Sequence, residues 1–441
     1  MGRILVLAPE PIRDLMAGMG IRAAEIARHL SLADHPVTLV TPGDPAAAPA
    51  WLGEAGVRVV SFESSSLARL AANHDGAIVS GHIANDFFHL APPIPTLVDL
   101  YDPFLIENLT YARRLGWEPF RNDHRTLALQ LARGDRFLVS SREQRLFYSG
   151  CLLSLGRVNP AALENDPALE KFLPIVPFGT PDNPPERGAP LLRGVVPGIG
   201  PSDPILFFGG IYDWYDPDEL LAAYGHVLAE VPDCRLVFVR NPNPDSTPQE
   251  ACSRAEKMAR EKGWLQKNVF FIPWFSYERR GSLYLESTAA VLTHQPGLET
   301  ELSLRTRGLD FLWAGLPIVS HRGGAMGSLL ADHGAGILVD LGDRAGLAGA
   351  LVRVLTDRGL RKTLSDRSRE LAGTFHWKNV LAPVFEFAIH PEVDRSKESF
   401  RPEPFPGAPA VGRDEGAPGF SRQSFSRRLT TRLEKIFRGE N

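Results

Sequence analysis

Two matching series of short aliphatic runs, each alternating with helical stretches, limit most tightly what this chain can fold into. The first comprises Ile4 to Leu7, Val37 to Val40, Val57 to Val60, Ala77 to Val79, Thr96 to Val98 and Phe137 to Val139. The second comprises Ile205 to Phe208, Leu236 to Val239, Val269 to Ile272, Ala290 to Leu292, Ile318 to Val319 and Gly336 to Val339. Strands covered on both faces read as continuous aliphatic runs, and helices between them imply parallel crossovers. Residues 179–204 separate the series with Pro181, Pro184, Pro185, Pro190, Pro197, Pro201 and Pro204 and no sustained period, which reads as an interdomain linker. A chain of 441 residues also exceeds what one core usually serves. The expectation is an α/β protein of two facing, doubly wound Rossmann-like domains, with ligands collecting in the cleft beyond the strands' carboxyl ends.

Composition narrows the function classes. The net charge of -4 gives no global reason to expect nucleic acid. Cys151, Cys234 and Cys252 are an odd number without metal-ligand spacing, which suits a reducing cytosol and no metal cofactor. The run Ile4 to Leu7 is too short for a signal peptide, and no window approaches the ~20 apolar residues of a spanning helix.

The richest chemistry lies in Glu299-Thr-Glu301-Leu-Ser303-Leu-Arg305-Thr-Arg307-Gly-Leu-Asp310, running into Ala314-Gly-Leu-Pro317 and the strand from Ile318. Ser303 is suited to cap a helix beginning near Leu304, whose positive end would hold a diphosphate. On that helix Leu309, Leu312 and Trp313 form an apolar stripe, and Asp310 falls off it, placed to hold a ribose diol or to face water. Gly315-Leu-Pro317 stops the helix.

This stretch resembles the family 4-like retaining glycosyltransferases of the GT-B fold, whose signature sets two acids eight residues apart before an Ala-x-x-Gly-x-Pro-hydrophobic run. Asp310 matches the second acid; the first falls at Leu302, with Glu301 and Glu299 just before it. Gly18-Met-Gly20-Ile-Arg22, His82, Ser140-Ser-Arg-Glu-Gln144, Pro177-Phe-Gly179 and Phe207-Phe-Gly-Gly210 follow the family's order over about residues 3 to 387. The resemblance implies a nucleoside-diphosphate sugar as co-substrate, with Gly18, Gly20, Gly209 and Gly210 near its phosphates and His82 on its sugar. Relatives carry an Arg and a Lys shortly after the second glycine pair, where this chain has Ile211-Tyr-Asp-Trp-Tyr215. The leaving diphosphate still needs positive charge, and Arg305 and Arg307 are the candidates. Glu301, His82 and Arg305 are thus the expected catalytic set, with Glu299, Ser303, Arg307 and Asp310 on the donor.

Several features admit two readings. Gly18-x-Gly20 has Ala23 where a dinucleotide fingerprint needs glycine, so it reads as a phosphate loop or a plain turn. Asp216-Pro-Asp218 has metal-binding spacing, yet Asp216 as N-cap, Pro217 at the first helical position and Glu219 as capping-box partner account for it better. Trp274 and Phe275 after a strand can stack on a base or fill the core. Asp99 and Asp102, at another strand end, can contact an acceptor hydroxyl, and Asp102-Pro103 is equally a good turn.

The expected layout is an acceptor-side domain at 1–183, a nucleotide-sugar domain at 184–376, a crossover helix at 377–390 returning to the first domain, and a disordered linker at 391–424. The final segment, 425–441, reads as a basic amphipathic helix, with Phe425, Leu429, Leu433, Ile436 and Phe437 on one face and Arg427, Arg428, Arg432, Lys435 and Arg438 around it. It suits an anionic membrane surface, near a lipid-linked glycan as acceptor, or docking on protein. The expected function is a glycosyltransferase of polysaccharide or glycolipid assembly, acting in the cytoplasm or at the inner face of the membrane. A nucleotide-sugar epimerase and a non-catalytic sugar-binding scaffold are the alternatives.

Overall fold

The computed structural model describes residues 1–241 and 247–398. The 425–441 tail lies outside them. Among the described residues there are twelve strands: β1 Ile4–Leu7, β2 Val37–Thr41, β3 Arg58–Ser61, β4 Gly76–Val79, β5 Thr96–Asp99, β6 Arg136–Leu138, β7 Ile205–Gly210, β8 Arg235–Val239, β9 Val269–Ile272, β10 Ala289–Leu292, β11 Ile318–His321 and β12 Gly336–Val339. They form two 6-stranded sheets, ordered β3-β2-β1-β4-β5-β6 and β12-β11-β10-β7-β8-β9. All pairings between these strands are parallel, as in Leu5 with Thr38 and Ala77, or Val291 with Val319. This is the two-domain α/β architecture of doubly wound sheets, and β1, β4, β7, β10 and β11 are buried along their whole length because helices cover both faces.

In each sheet the strand order reverses once, between β1 and β4 and between β7 and β10. The crevice outside the carboxyl ends of such a strand pair is where open α/β sheets take their ligands. Leu7 and Val79 end the first pair and Gly210 and Leu292 the second, which places the 8–17 loop, His82, Gly209 and the 294–300 loop on the cleft.

The proline-rich segment is not slack. Its Leu191, Leu192 and Arg193 amides donate to the Glu286 carboxylate at 2.6, 3.0 and 2.7 Å, and Leu192 and Ile199 are buried. A carboxylate satisfying three consecutive amides replaces the ladder that the prolines forbid.

Near its end the chain returns to the first domain. Thr180 N–H donates to Phe375 O at 2.7 Å and Trp377 N–H to Thr180 O at 3.0 Å, so two crossing segments are stitched side by side. Buried Trp377 packs on Phe178 with ring centroids 4.9 Å apart. Gly179 is obligatory there, since a Cβ would lie 2.1 Å from the indole.

One boundary needs correction. Residues 391–398, expected to be disordered, are bound to the first domain: Arg157 pairs with Asp394 at 2.7 Å and Lys397 with Asp135 at 2.6 Å, before a short turn of helix at Arg395–Glu398. Composition hides this, because single charged residues find buried partners far away in sequence.

Candidate active site

The two domains meet at the amino-terminal end of the Thr306–Trp313 helix. Tyr101, just beyond β5, reaches across: its hydroxyl bonds Leu304 O at 3.0 Å and Thr306 Oγ1 at 2.6 Å. A Cβ on Gly18 would lie 3.5 Å from the same Thr306 Oγ1, so the glycine loop of the first domain faces that helix end directly.

The helix starts two residues later than the sequence suggests. Ser303 is not its cap: the Ser303 hydroxyl donates to Glu299 at 2.7 Å, and the cap position is Arg305, with no side chain bonding the first-turn amides. Gly308 N–H donates to Arg305 O at 2.8 Å, so the Thr306 and Arg307 amides, with the helix dipole, are the ones left for an anion.

Arg307, in the first turn, crosses to the Gly209–Gly210 end of β7. It donates to Phe208 O at 3.0 Å, its guanidinium carbon stands 4.1 Å from the Tyr215 ring centroid, and a Cβ on Gly209 would lie 3.2 Å from its Nη1. Gly209 has φ 90°, a conformation that favours glycine. A cation thus sits over the glycine turn although none follows it in sequence.

Arg305 differs. It is buried and clamped by Glu299, with Nη1 and Nη2 at 2.6 and 2.7 Å from the two carboxylate oxygens. The expected free charges at Arg305 and Glu299 are thus a mutually neutralised pair, because neither could be buried unpaired. Glu301 is exposed and faces Gly323, where a Cβ would lie 3.8 Å from its carboxylate. Below this loop a void of about 10 Å³ bordered by His294, Arg305 and Ser320 has room for about one water. Burial, reinforced by Arg305 and His321, pushes His294 down to about 3 and keeps it neutral.

Asp310 is the largest departure from the sequence reading. It does not leave the apolar stripe for the ligand: at 7% exposure it accepts from Arg280 Nε at 3.1 Å and Tyr284 Oη at 3.3 Å. Burial raises its pKa, and Arg280 opposes the rise. The sequence offers no local signal for this, because Arg280 lies thirty positions upstream.

On the first domain, Asp99 is likewise an internal partner. Its oxygens accept from Arg22 Nε and Nη2 at 2.6 and 3.1 Å, which removes it from the acceptor-facing set. Gly20 N–H is engaged by Glu10 at 2.5 Å, a carboxylate that sequence reasoning passed over. Burial raises the Glu10 pKa while the Gly20 and Ala17 amides lower it.

Asp102 lies among acidic neighbours, Glu107, Glu299 and Asp99. Burial pushes it up to about 6, its hydrogen bond to Glu107 pulling the other way, while Glu299 and Asp99 add to the rise. Burial also raises Glu107, with Asp102 adding to it. His82, half exposed, bonds buried Asp123 at 2.8 Å, and Asn108 completes that carboxylate at 2.8 Å. Trp274 and Phe275 stack on each other at 5.9 Å, with Trp274 against Gly210.

The Asp216 cap is as the sequence suggests, accepting from Glu219 N at 2.9 Å, but Glu219 turns to His321 at 3.3 Å instead of closing a capping box. Asp218 pairs with Arg254 at 3.0 Å, so the two aspartates of that motif serve separate partners.

Residues 202–357 match the model of the glycosyl transferases group 1 family. The D-inositol 3-phosphate glycosyltransferase of Acidothermus cellulolyticus is 30% identical over 184 residues, 41% of this chain and 39% of that protein. Its counterpart from Corynebacterium urealyticum is 26% identical over 218 residues, 49% and 48% of the two chains. The chain therefore spans less than half the length of the curated relatives it matches. Among solved structures, Anabaena HepE in complex with UDP and glucose superposes with TM-score 0.67 at 14% identity, covering 88% of this chain and 100% of that one. WaaG, a glycosyltransferase involved in lipopolysaccharide biosynthesis, gives 0.60 at 15% identity, covering 88% and 99%. The chain has the GT-B fold.

Proposed function

We propose that this protein is a glycosyltransferase that holds a nucleoside-diphosphate sugar mainly against its second domain and passes the sugar to an acceptor hydroxyl held against the first. The observation that carries this reading is Arg307: its guanidinium lies over the Gly209–Gly210 turn, beside uncapped helix amides, at the point where the second sheet reverses its strand order. Guanidinium groups and helix amides together are the usual protein answer to a diphosphate. The names of the relatives, and the UDP and glucose named with the HepE structure, agree with it.

In this reading Arg307 and the first-turn amides stabilise the departing diphosphate as the glycosidic bond breaks, without calling on a metal. Trp274 and Phe275 form a wall for the base, and His82, oriented by Asp123, offers a ring nitrogen to the sugar or acceptor. Asp102 and Glu107 hold the acceptor side. Glu299 acts through Arg305, fixing the loop that precedes the helix. Retention of anomeric configuration is the outcome the family resemblance implies, and Asp310, Glu301, Gly18 and Gly20 keep their proposed places around the donor only indirectly, as the frame of the pocket. A role in polysaccharide or glycolipid assembly, with the basic tail at an anionic cytoplasmic surface, belongs to the same proposal. Among the described residues no helix is long and apolar enough to cross a membrane.

The test is a panel of nucleoside-diphosphate sugars incubated with the protein and candidate acceptors, reading nucleotide release and glycosylated product. Product formed from one donor supports the proposal. Interconversion of the sugar without transfer would replace it with an epimerase, and binding without turnover on any acceptor with a scaffold.

A further inference from the structure

Beside the diphosphate turn lies a second cavity, of about 420 Å³, that none of the roles above uses. Both domains build it. Ile106 and Leu109 come from the Phe104–Leu115 helix of the first, and Asp213, Trp214, Gln295 and Leu298 come from the two loops of the second that follow β7 and β10. Its volume lies within the ~300–1,000 Å³ of small-molecule sites.

The lining specifies what fits. Among the described residues no lysine or arginine borders the cavity, and its carboxylates there are Asp213 and Glu299, the latter already neutralised by Arg305. Among the described residues a phosphate would meet no cation there and one unneutralised anion. Trp214 supplies an indole braced by Tyr212, stacked at 4.9 Å and 10°. Among the described residues nothing hydrogen-bonds the Gln295 side-chain amide, and Asp213 uses one oxygen on Ala251 N at 2.9 Å. An aromatic platform flanked by an amide and a carboxylate suits the apolar face and hydroxyls of an uncharged sugar ring. Leu109 and Leu298, 43% and 50% exposed, extend the wall outward as an apolar rim.

We propose that this cavity binds the acceptor as an uncharged glycoside with an apolar aglycone, the sugar ring on Trp214 between Gln295 and Asp213 and the aglycone along Leu109 and Leu298. The inference rests on the glycosyltransferase reading and deepens it. It would set this chain's acceptor apart from the inositol phosphate in the printed names of the relatives, because among the described residues the cavity wall holds an aromatic platform, an amide and a carboxylate and no countercharge for a phosphate.

The experiment titrates the full-length protein with n-octyl β-D-glucopyranoside below its micelle-forming concentration, following tryptophan fluorescence, and with glucose 6-phosphate as the charged control. UDP-induced thermal shift is measured in parallel. Saturable quenching is expected with the alkyl glycoside and none with the phosphate. Gln295→Ala and Leu298→Ser, both at solvent-accessible positions, are expected to weaken binding by roughly 2–10-fold each, in line with one lost neutral hydrogen bond or apolar contact. Trp214→Phe should remove most of the quench. Absence of glycoside binding while UDP still shifts the melting curve would overturn this inference and leave the donor reading standing. Equal affinity in the Gln295 and Leu298 variants, or tighter binding of the phosphate, would also overturn it. Loss of UDP response in the unmodified protein would count against the donor reading instead.

Discussion

Removing the Asp310 carboxylate should unfold the second domain more readily without touching nucleotide affinity. Asp310 and Arg280 form a pair 3.1 Å apart, at 7% and 5% exposure. Truncating one partner of such a pair costs about 3–5 kcal/mol, mostly because the other charge is left buried and alone. Arg280 keeps some support: it donates to Tyr277 O at 2.7 Å and stands 3.5 and 4.7 Å from the Tyr277 and Trp313 ring centroids. The lower end, about 3 kcal/mol, is therefore expected for Asp310→Ala, or roughly 6–12 °C in melting temperature for a domain of this size. Replacing both partners, as Arg280→Met with Asp310→Leu, should recover most of the loss, since a buried ion pair does little better than apolar side chains of similar volume. Denaturant unfolding gives the stabilities and calorimetric titration with UDP gives the affinity. An Asp310→Ala protein within about 1 kcal/mol of the parent, yet much weaker for UDP, would refute this and return Asp310 to the ribose.

Three further outcomes follow from the cleft and the returning segment. Asp102, raised from 3.8 to about 6, holds in the folded state a proton that the unfolded chain has already released. Stability is therefore expected to fall as pH rises from about 4 to 6, and Asp102→Asn should flatten that slope in pH-dependent denaturant melts. Tyr101→Phe removes the hydroxyl that bridges to Leu304 and Thr306, a loss of about 1 kcal/mol, so interdomain fluorescence energy transfer should report roughly fivefold more open molecules. Trp377→Ala empties the packing on Phe178 and should cost about 3–5 kcal/mol, seen as a lower denaturation midpoint.

The fold was legible because a parallel sheet buried on both faces leaves an unmistakable trace: Ile4-Leu-Val-Leu7 and Ala77-Ile-Val79 carry no polar alternation. The site was legible only where chemistry is local. Asp216 with Pro217 caps its helix as their spacing implies, and the glycine pair ends β7 with Gly209 at φ 90°. The partners of Asp310, Asp99 and Gly20, namely Arg280, Arg22 and Glu10, were not legible because they are set by tertiary packing and not by any fixed spacing. Ser303 looked like a cap because the sequence cannot show that Glu299 would take its hydroxyl. The cavity bordered by Trp214 and Gln295 is assembled from three distant segments and leaves no motif at all.

The central claim is that Arg307 supplies the positive charge for a diphosphate that the residues after Gly210 do not. Calorimetric titration of UDP into the parent protein and into Arg307→Ala measures this directly. A charge-assisted contact is worth about 1.5–3 kcal/mol, so the variant should fold normally and bind UDP roughly 10–150-fold more weakly. Equal affinity in the two proteins would contradict the account.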